Sequence, residues 1–159
     1  MREARTLGSW ALGLFLAAML VWIAVDTLAP PAGARNHLFP LFAETSGIAY
    51  FEPTGRLAAG LLEIIAALLI VIPATRRIGA FLGLLLMAFL AALVGQLMMI
   101  GVAIPVDTVG EGGKIATASV DPSMLFYLTL GLVIAAILLV IVHPGGEDAG
   151  AAPKSYYGQ

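Results

Sequence analysis

PTGRLAAGLLEIIAALLIVIPATRR, residues 53–77, holds the clearest sign of the chain's architecture. Between Pro53 and Pro73 its only charged residues are Arg56 and Glu63, and apart from Thr54 the rest is apolar. A run of about 20 residues, rising 1.5 Å per residue as a helix, crosses about 30 Å of hydrocarbon. Proline suits the first helical position, and Glu52 just before it suits the positive end of the helix dipole. Pro73 stops the helix, and the tight turn to Arg77 leads straight into another apolar run. The two runs therefore form an antiparallel helical hairpin.

Working outward, two more runs of the same kind flank this hairpin. The four spans cover about residues 7–28, 53–72, 78–104 and 124–143. Asp121-Pro122 repeats the acid-proline start ahead of the last span, and Pro144-Gly145-Gly146 ends it. The first apolar run exceeds the 7–15 residues usual in a signal peptide, and is read as a retained span. In lipid the backbone must satisfy its own polar groups, so all four spans are expected to be helices. The segments 29–51 and 105–123 are expected to be long loops, and 145–159 a flexible cytoplasmic tail. The expected fold is an all-α, integral membrane four-helix bundle in one domain, residues 1–144.

Composition agrees. Of 159 residues 60 % are hydrophobic and 11 % charged, against roughly 25 % charged in soluble domains. Mean hydropathy is +0.99. A soluble globular domain, a disordered chain and a conventional nucleic-acid binder are excluded. There is no cysteine, so the chain supplies no disulfide, thiolate metal site or thiol redox centre. Arg2, Arg5, Arg76, Arg77 and Lys154 fall on one side of the four crossings. Arg35, Arg56 and Lys114 fall on the other. The bias places both termini in the cytoplasm and the two long loops outside.

Polar residues inside spans are costly in lipid, and so face protein or water. Glu52, Arg56, Gly60 and Glu63 fall within a sector of about 80° on the second span. Arg56 lies about 4–5 Å below the outer end of its span and Asp26 about 3 Å below that of the first, which suits an ion pair. Glu63 lies about 15 Å deep and Gln96 about 12 Å from the outer end of the third span, which suits a hydrogen bond. The expected site is an outward-opening polar pocket. Arg56 and Asp26 stand at its mouth, Glu63 is its floor, and Tyr127 lines it from the fourth span. The same geometry has a structural reading: Asp26–Arg56 as a staple at the membrane face and Glu63–Gln96 as interhelical glue. Gly79, Gly83, Met87, Ala91 and Gly95, and likewise Gly131 and Ala135, read as packing faces of small residues. His37 and His143 fall on opposite sides and do not form a metal site. The phosphate-loop, dinucleotide, His-Glu-x-x-His and Gly-x-Ser-x-Gly patterns do not occur, so no catalytic or metal-ligating set is assigned.

Gly55-Arg56-Leu-Ala-Ala-Gly60-Leu-Leu-Glu63, the run to Ile72-Pro73, and Arg76-Arg77-Ile-Gly-Ala80 resemble the DoxX and DoxX-like family of small four-span bacterial membrane proteins. The likeness covers roughly residues 36–96, and the Phe39-Pro40 loop belongs to it. It carries over Arg56, Gly60 and Glu63 by position. It implies a helical bundle in the bacterial cytoplasmic membrane, with relatives linked to quinone-coupled oxidation of sulfur compounds or to oxidoreductase assemblies with soluble partners. The leading expectation is an accessory subunit, without its own catalysis, that supports a membrane redox or envelope process through the polar pocket. The alternatives are a small proton-coupled transporter or ligand-binding membrane protein working through Glu63, and a quinone-binding subunit of an oxidoreductase with the quinone near Glu63 and Gln96. The expected surroundings are the lipid bilayer and a protein partner, with no nucleic acid.

Overall fold

A computed structural model describes residues 2–29, 37–109 and 113–142 of the chain. The elements are α1 (Arg2–Leu28), α2 (Leu38–Ser46), a 3₁₀ turn (Ala49–Phe51), α3 (Thr54–Val71), α4 (Arg76–Met99), β1 (Ile104–Val109), β2 (Ile115–Val120) and α5 (Ser123–Val142). Among the described residues, α1, α3, α4 and α5 are long and apolar enough to cross a membrane. They are the four spans expected from the sequence. α1 packs on α3 and α5, and α4 packs on α3 and α5, so the helices close a ring. Gly8 lies beside Val142, and Ser9 touches Arg76. The start of α1, the α3–α4 turn and the end of α5 therefore share one end of the molecule. The long connections share the other. His143 and residues 145–159 lie outside the described residues.

The third span is shorter than expected, ending at Met99 and not near residue 104. Gly101 takes φ 69°, the left-handed conformation open to glycine. Its N–H donates to the Met98 carbonyl (3.2 Å), and that of Val102 donates to the Leu97 carbonyl (3.0 Å). This is a Schellman cap, and it satisfies carbonyls that the helix end leaves open. The following segment is β1.

The expectation of an all-α chain is likewise corrected. β1 and β2 form an antiparallel hairpin with Ile104 opposite Val120 and Val109 opposite Ile115. Both strands are rich in Ile, Val and Thr, whose branched side chains suit a pleated surface. Segment 29–51 also contains more than loop, since it forms α2 and the 3₁₀ turn. Leu38 and Phe42 of α2 are buried, as is Ile104. The His37 N–H donates to the Pro105 carbonyl (3.0 Å), and the His37 Nε2 donates to Asp107 Oδ2 (2.9 Å). Asp107 Oδ1 accepts from Thr117 Oγ1 (3.0 Å), tying the clasp to the second strand. Together α2 and the hairpin make a cap over one end of the helices.

The core runs along the helix axis through Leu16 and Leu20 of α1, Ala66 and Ile70 of α3, Met87 and Val94 of α4, and Leu132 and Leu139 of α5. The outward faces are equally apolar, with Phe15, Leu61, Phe81, Phe89 and Ile141 exposed. Apolar surface on both faces is what a helix needs when its outer solvent is lipid. Between helices in lipid the driving force is close packing rather than exclusion of water. Gly79 supplies that closeness. A Cβ there would lie 2.6 Å from the Ile70 nitrogen and 2.8 Å from the Ala66 carbonyl oxygen. Gly131 does not pack as the sequence suggested, because a Cβ there would meet nothing within 4 Å.

Candidate functional site

Two cavities meet at a shared wall that contains Glu63. The inner chamber, about 230 Å³, lies under the cap among α1, α3 and α5. Trp22, Asp26, Arg56, Glu63, Asp121 and Leu125 are among its lining. The lateral cleft, about 280 Å³, lies between α3 and α4 beneath α2 and the 3₁₀ turn. Phe39, Phe51, Ala59, Glu63, Phe89 and Leu93 line it. Phe39, Glu63 and Leu90 belong to both walls.

Glu63 is 4 % exposed. Its Oε2 is fully enclosed and has no hydrogen-bond partner among the described residues. The helix period accounts for the burial, since Gly60, Glu63, Ala66, Ala67 and Ile70 make up the inward stripe of α3. Nine residues separate Glu63 from the first residue of α3, about 14 Å along the axis. Leu90 stands nine residues before the end of α4 and so faces Glu63 at the same level.

Arg56 is held differently from the expectation. Its Nε donates to Glu52 Oε1 (3.1 Å) and Oε2 (3.0 Å), and its Nη1 donates to the Thr27 carbonyl (2.8 Å). Glu52 is one helical turn away, and Thr27 offers one of the carbonyls left open at the end of α1. A guanidinium there also meets the negative end of the α1 dipole. Asp26 stands beside this contact, on the chamber wall, and forms no hydrogen bond or ion pair among the described residues. The Asp26–Arg56 pair is therefore replaced by Glu52–Arg56–Thr27.

The Glu63–Gln96 hydrogen bond is not formed either. The buried stripe of α4 runs through Met87, Leu90, Ala91, Val94 and Leu97. Gln96 lies off it and is exposed. Because α4 ends at Met99, Gln96 lies only about 4–5 Å from the helix end, far above Glu63. Tyr127 is 65 % exposed and packs edge-on against Phe126, away from the chamber, while Met124, Leu125 and Leu128 take its expected place. Gly60 is a crossing point: a Cβ there would lie 2.5 Å from Leu28 Cγ. Of the expected site residues, Asp26, Arg56 and Glu63 share the chamber wall. Glu52 supports Arg56 from behind, Gly60 sets helix packing, and Gln96 and Tyr127 stand apart.

Asp121, Trp22 and the aromatic residues Phe39 and Phe51 were not anticipated. Hydrogen bonding from the Ser123 side chain, and from its N–H to Asp121 Oδ1 (2.7 Å), holds the Asp121 carboxyl below the usual range. Its position before a helix was visible in the sequence, but its place on the chamber wall depends on how α5 meets α1. Among the described residues, no cluster of three His, Asp or Glu side chains could hold a metal. Compared with protein-family models, curated proteins and solved structures, the chain matches none.

Proposed function

We propose that this chain is a DoxX-like four-helix bundle of the bacterial cytoplasmic membrane, with both termini cytoplasmic. It acts as an accessory subunit that binds a small ligand in its outward-facing chamber in support of a redox or envelope process. One observation carries the reading: a carboxyl that is 4 % exposed, has an oxygen without a partner among the described residues, and belongs to the walls of two cavities. A buried polar atom without a partner costs free energy that a ligand can recover by supplying one. The support from sequence is the Arg56-Gly60-Glu63 pattern and the four spans.

Native mass spectrometry of the gently purified protein tests it. The expected result is a bound small molecule whose occupancy falls at least tenfold in Glu63→Gln, with the thermal transition held within about 5 °C. Equal occupancy in wild type and variant, or none in either, contradicts the reading.

A second reading, a quinone-binding subunit, draws on the lateral cleft. The cleft is apolar, bordered by the rings of Phe39, Phe51 and Phe89, and ends on the Glu63 carboxyl. A flat ring with a carbonyl would find both stacking surface and a proton-bearing group there. Quinone in the extracted bound fraction would select this reading.

A further inference from the structure

We infer that the inner chamber takes a small organic cation, an amine carried on an apolar or aromatic body, seated between Asp26 and Glu63. The inference rests on the chamber being a ligand site, and names the ligand's chemical class.

Charge on the chamber wall points this way. Among the described residues, the wall carries three carboxyls (Asp26, Glu63, Asp121) and one guanidinium, that of Arg56. Arg56 is already committed, to both oxygens of Glu52 and to the Thr27 carbonyl. Asp121 is engaged by Ser123. Asp26 and Glu63 are left, from two different helices, with no hydrogen bond or ion pair among the described residues. Among the described residues, an anion entering would meet two carboxyls without partners and one guanidinium already paired with Glu52. A neutral molecule would gain at most a hydrogen bond. A cation gains charge pairing in surroundings that screen it weakly.

The rest of the wall selects the cation's body. A bare metal ion needs several oxygen ligands, and the remaining lining is mostly apolar, with no three-residue ligand cluster among the described residues. Trp22 and Phe39 instead line the chamber, and aromatic rings attract organic cations. The volume of about 230 Å³ equals the share of roughly eight water molecules in the liquid. That suits one ring and an ammonium head.

The test uses the full chain in detergent micelles and isothermal titration calorimetry, with protein-free micelles as the blank. The probes are benzyltrimethylammonium and its uncharged carbon isostere, neopentylbenzene. The expected result is that the cation binds at least tenfold more tightly than the isostere. Glu63→Gln and Asp26→Asn should each weaken the cation at least tenfold and leave the isostere within twofold. Should Glu63→Gln fail to melt cooperatively, Asp26→Asn alone decides, since Asp26 is only half-buried. Cation and isostere binding within twofold of each other overturns the inference while leaving a ligand site in place. No binding by the wild type, or binding that neither substitution moves, also overturns it. The ligand-site reading falls separately, only if the co-purified occupancy of Glu63→Gln matches the wild type.

Discussion

At the scale of single residues, two buried charged side chains are treated in opposite ways. Glu63 is enclosed and left without a partner, whereas Arg76, at 2 % exposure, is fully employed. Arg76 Nε donates to the Ile70 carbonyl (2.8 Å), its Nη1 donates to Ser9 Oγ (3.3 Å), and its guanidinium lies 4.0 Å from the Trp10 ring centre. It clamps the start of α4 to α1 and to the end of α3. Arg76→Ala should cost about 2–4 kcal/mol, from a cavity plus stranded polar atoms, and Arg76→Lys should recover only part of it. Denaturant unfolding in detergent measures both. The sequence shows Arg76 as a topology signal but does not reveal the clamp, because Ser9 and Trp10 lie a whole span away. Asp26, Arg56 and Glu63 were legible as charges stranded in apolar runs. Gln96 misled because its depth was counted from a helix end that Gly101 brings forward. Asp121 titrates outside the spans, and its folded-state value is depressed relative to the unfolded chain. Its contribution to the start of α5 is therefore present above the ordinary aspartate value, about 3.9, and fades as pH falls through the lower folded value. Carboxyl-carbon NMR should show Asp121 still ionised at about pH 4, and Asp121→Asn should make the start of α5 insensitive to acid over that range.

Among elements, glycines decide how closely helices approach, and the three most informative ones differ. A methyl at Gly79 would strike the backbone of α3, which cannot yield without parting the two helices. A methyl at Gly60 would strike the Leu28 side chain, which can turn aside near the end of α1. A methyl at Gly131 would meet open space. Gly79→Ala should therefore destabilise by about 2–3 kcal/mol and Gly60→Ala by less. Gly131→Ala should stabilise by up to about 1 kcal/mol through helix propensity. Thermal unfolding of the three variants checks the order. Spacing in the sequence marked Gly79 as a packing position but gave Gly131 the same role, since period alone does not tell which face meets a helix and which meets lipid. The hairpin was less legible still. The alternation in 104–109 and 115–120 is short, and β1 adjoins an apolar helix whose hydropathy runs on into it. The His37–Asp107 clasp joins residues 70 positions apart, a distance over which no local pattern operates.

The whole molecule has two unlike ends joined by a belt of outward apolar side chains. One end gathers Arg5, Arg76 and Arg77, and the other carries the cap and the chamber. The number of spanning helices and the limits of α3 and α5 followed from hydropathy and proline alone, because a bilayer tolerates so few alternatives. The orientation proposed from the positive charges is open to direct check, since the chain has no cysteine to interfere. A membrane-impermeant maleimide applied to intact cells should label Glu44→Cys on the cap and leave Ala74→Cys, in the α3–α4 turn, unlabelled until the membrane is opened. A carboxyl halfway along α3 is buried, has no hydrogen-bond partner among the described residues, and borders an apolar cleft between α3 and α4. Dicyclohexylcarbodiimide, an apolar reagent that modifies carboxyls from within the bilayer, tests it most directly, with peptide mass spectrometry locating the adduct. One dominant adduct on Glu63 is expected, and it should be lost in Glu63→Gln. An unmodified Glu63, or adducts spread evenly over the other carboxyls, would contradict it.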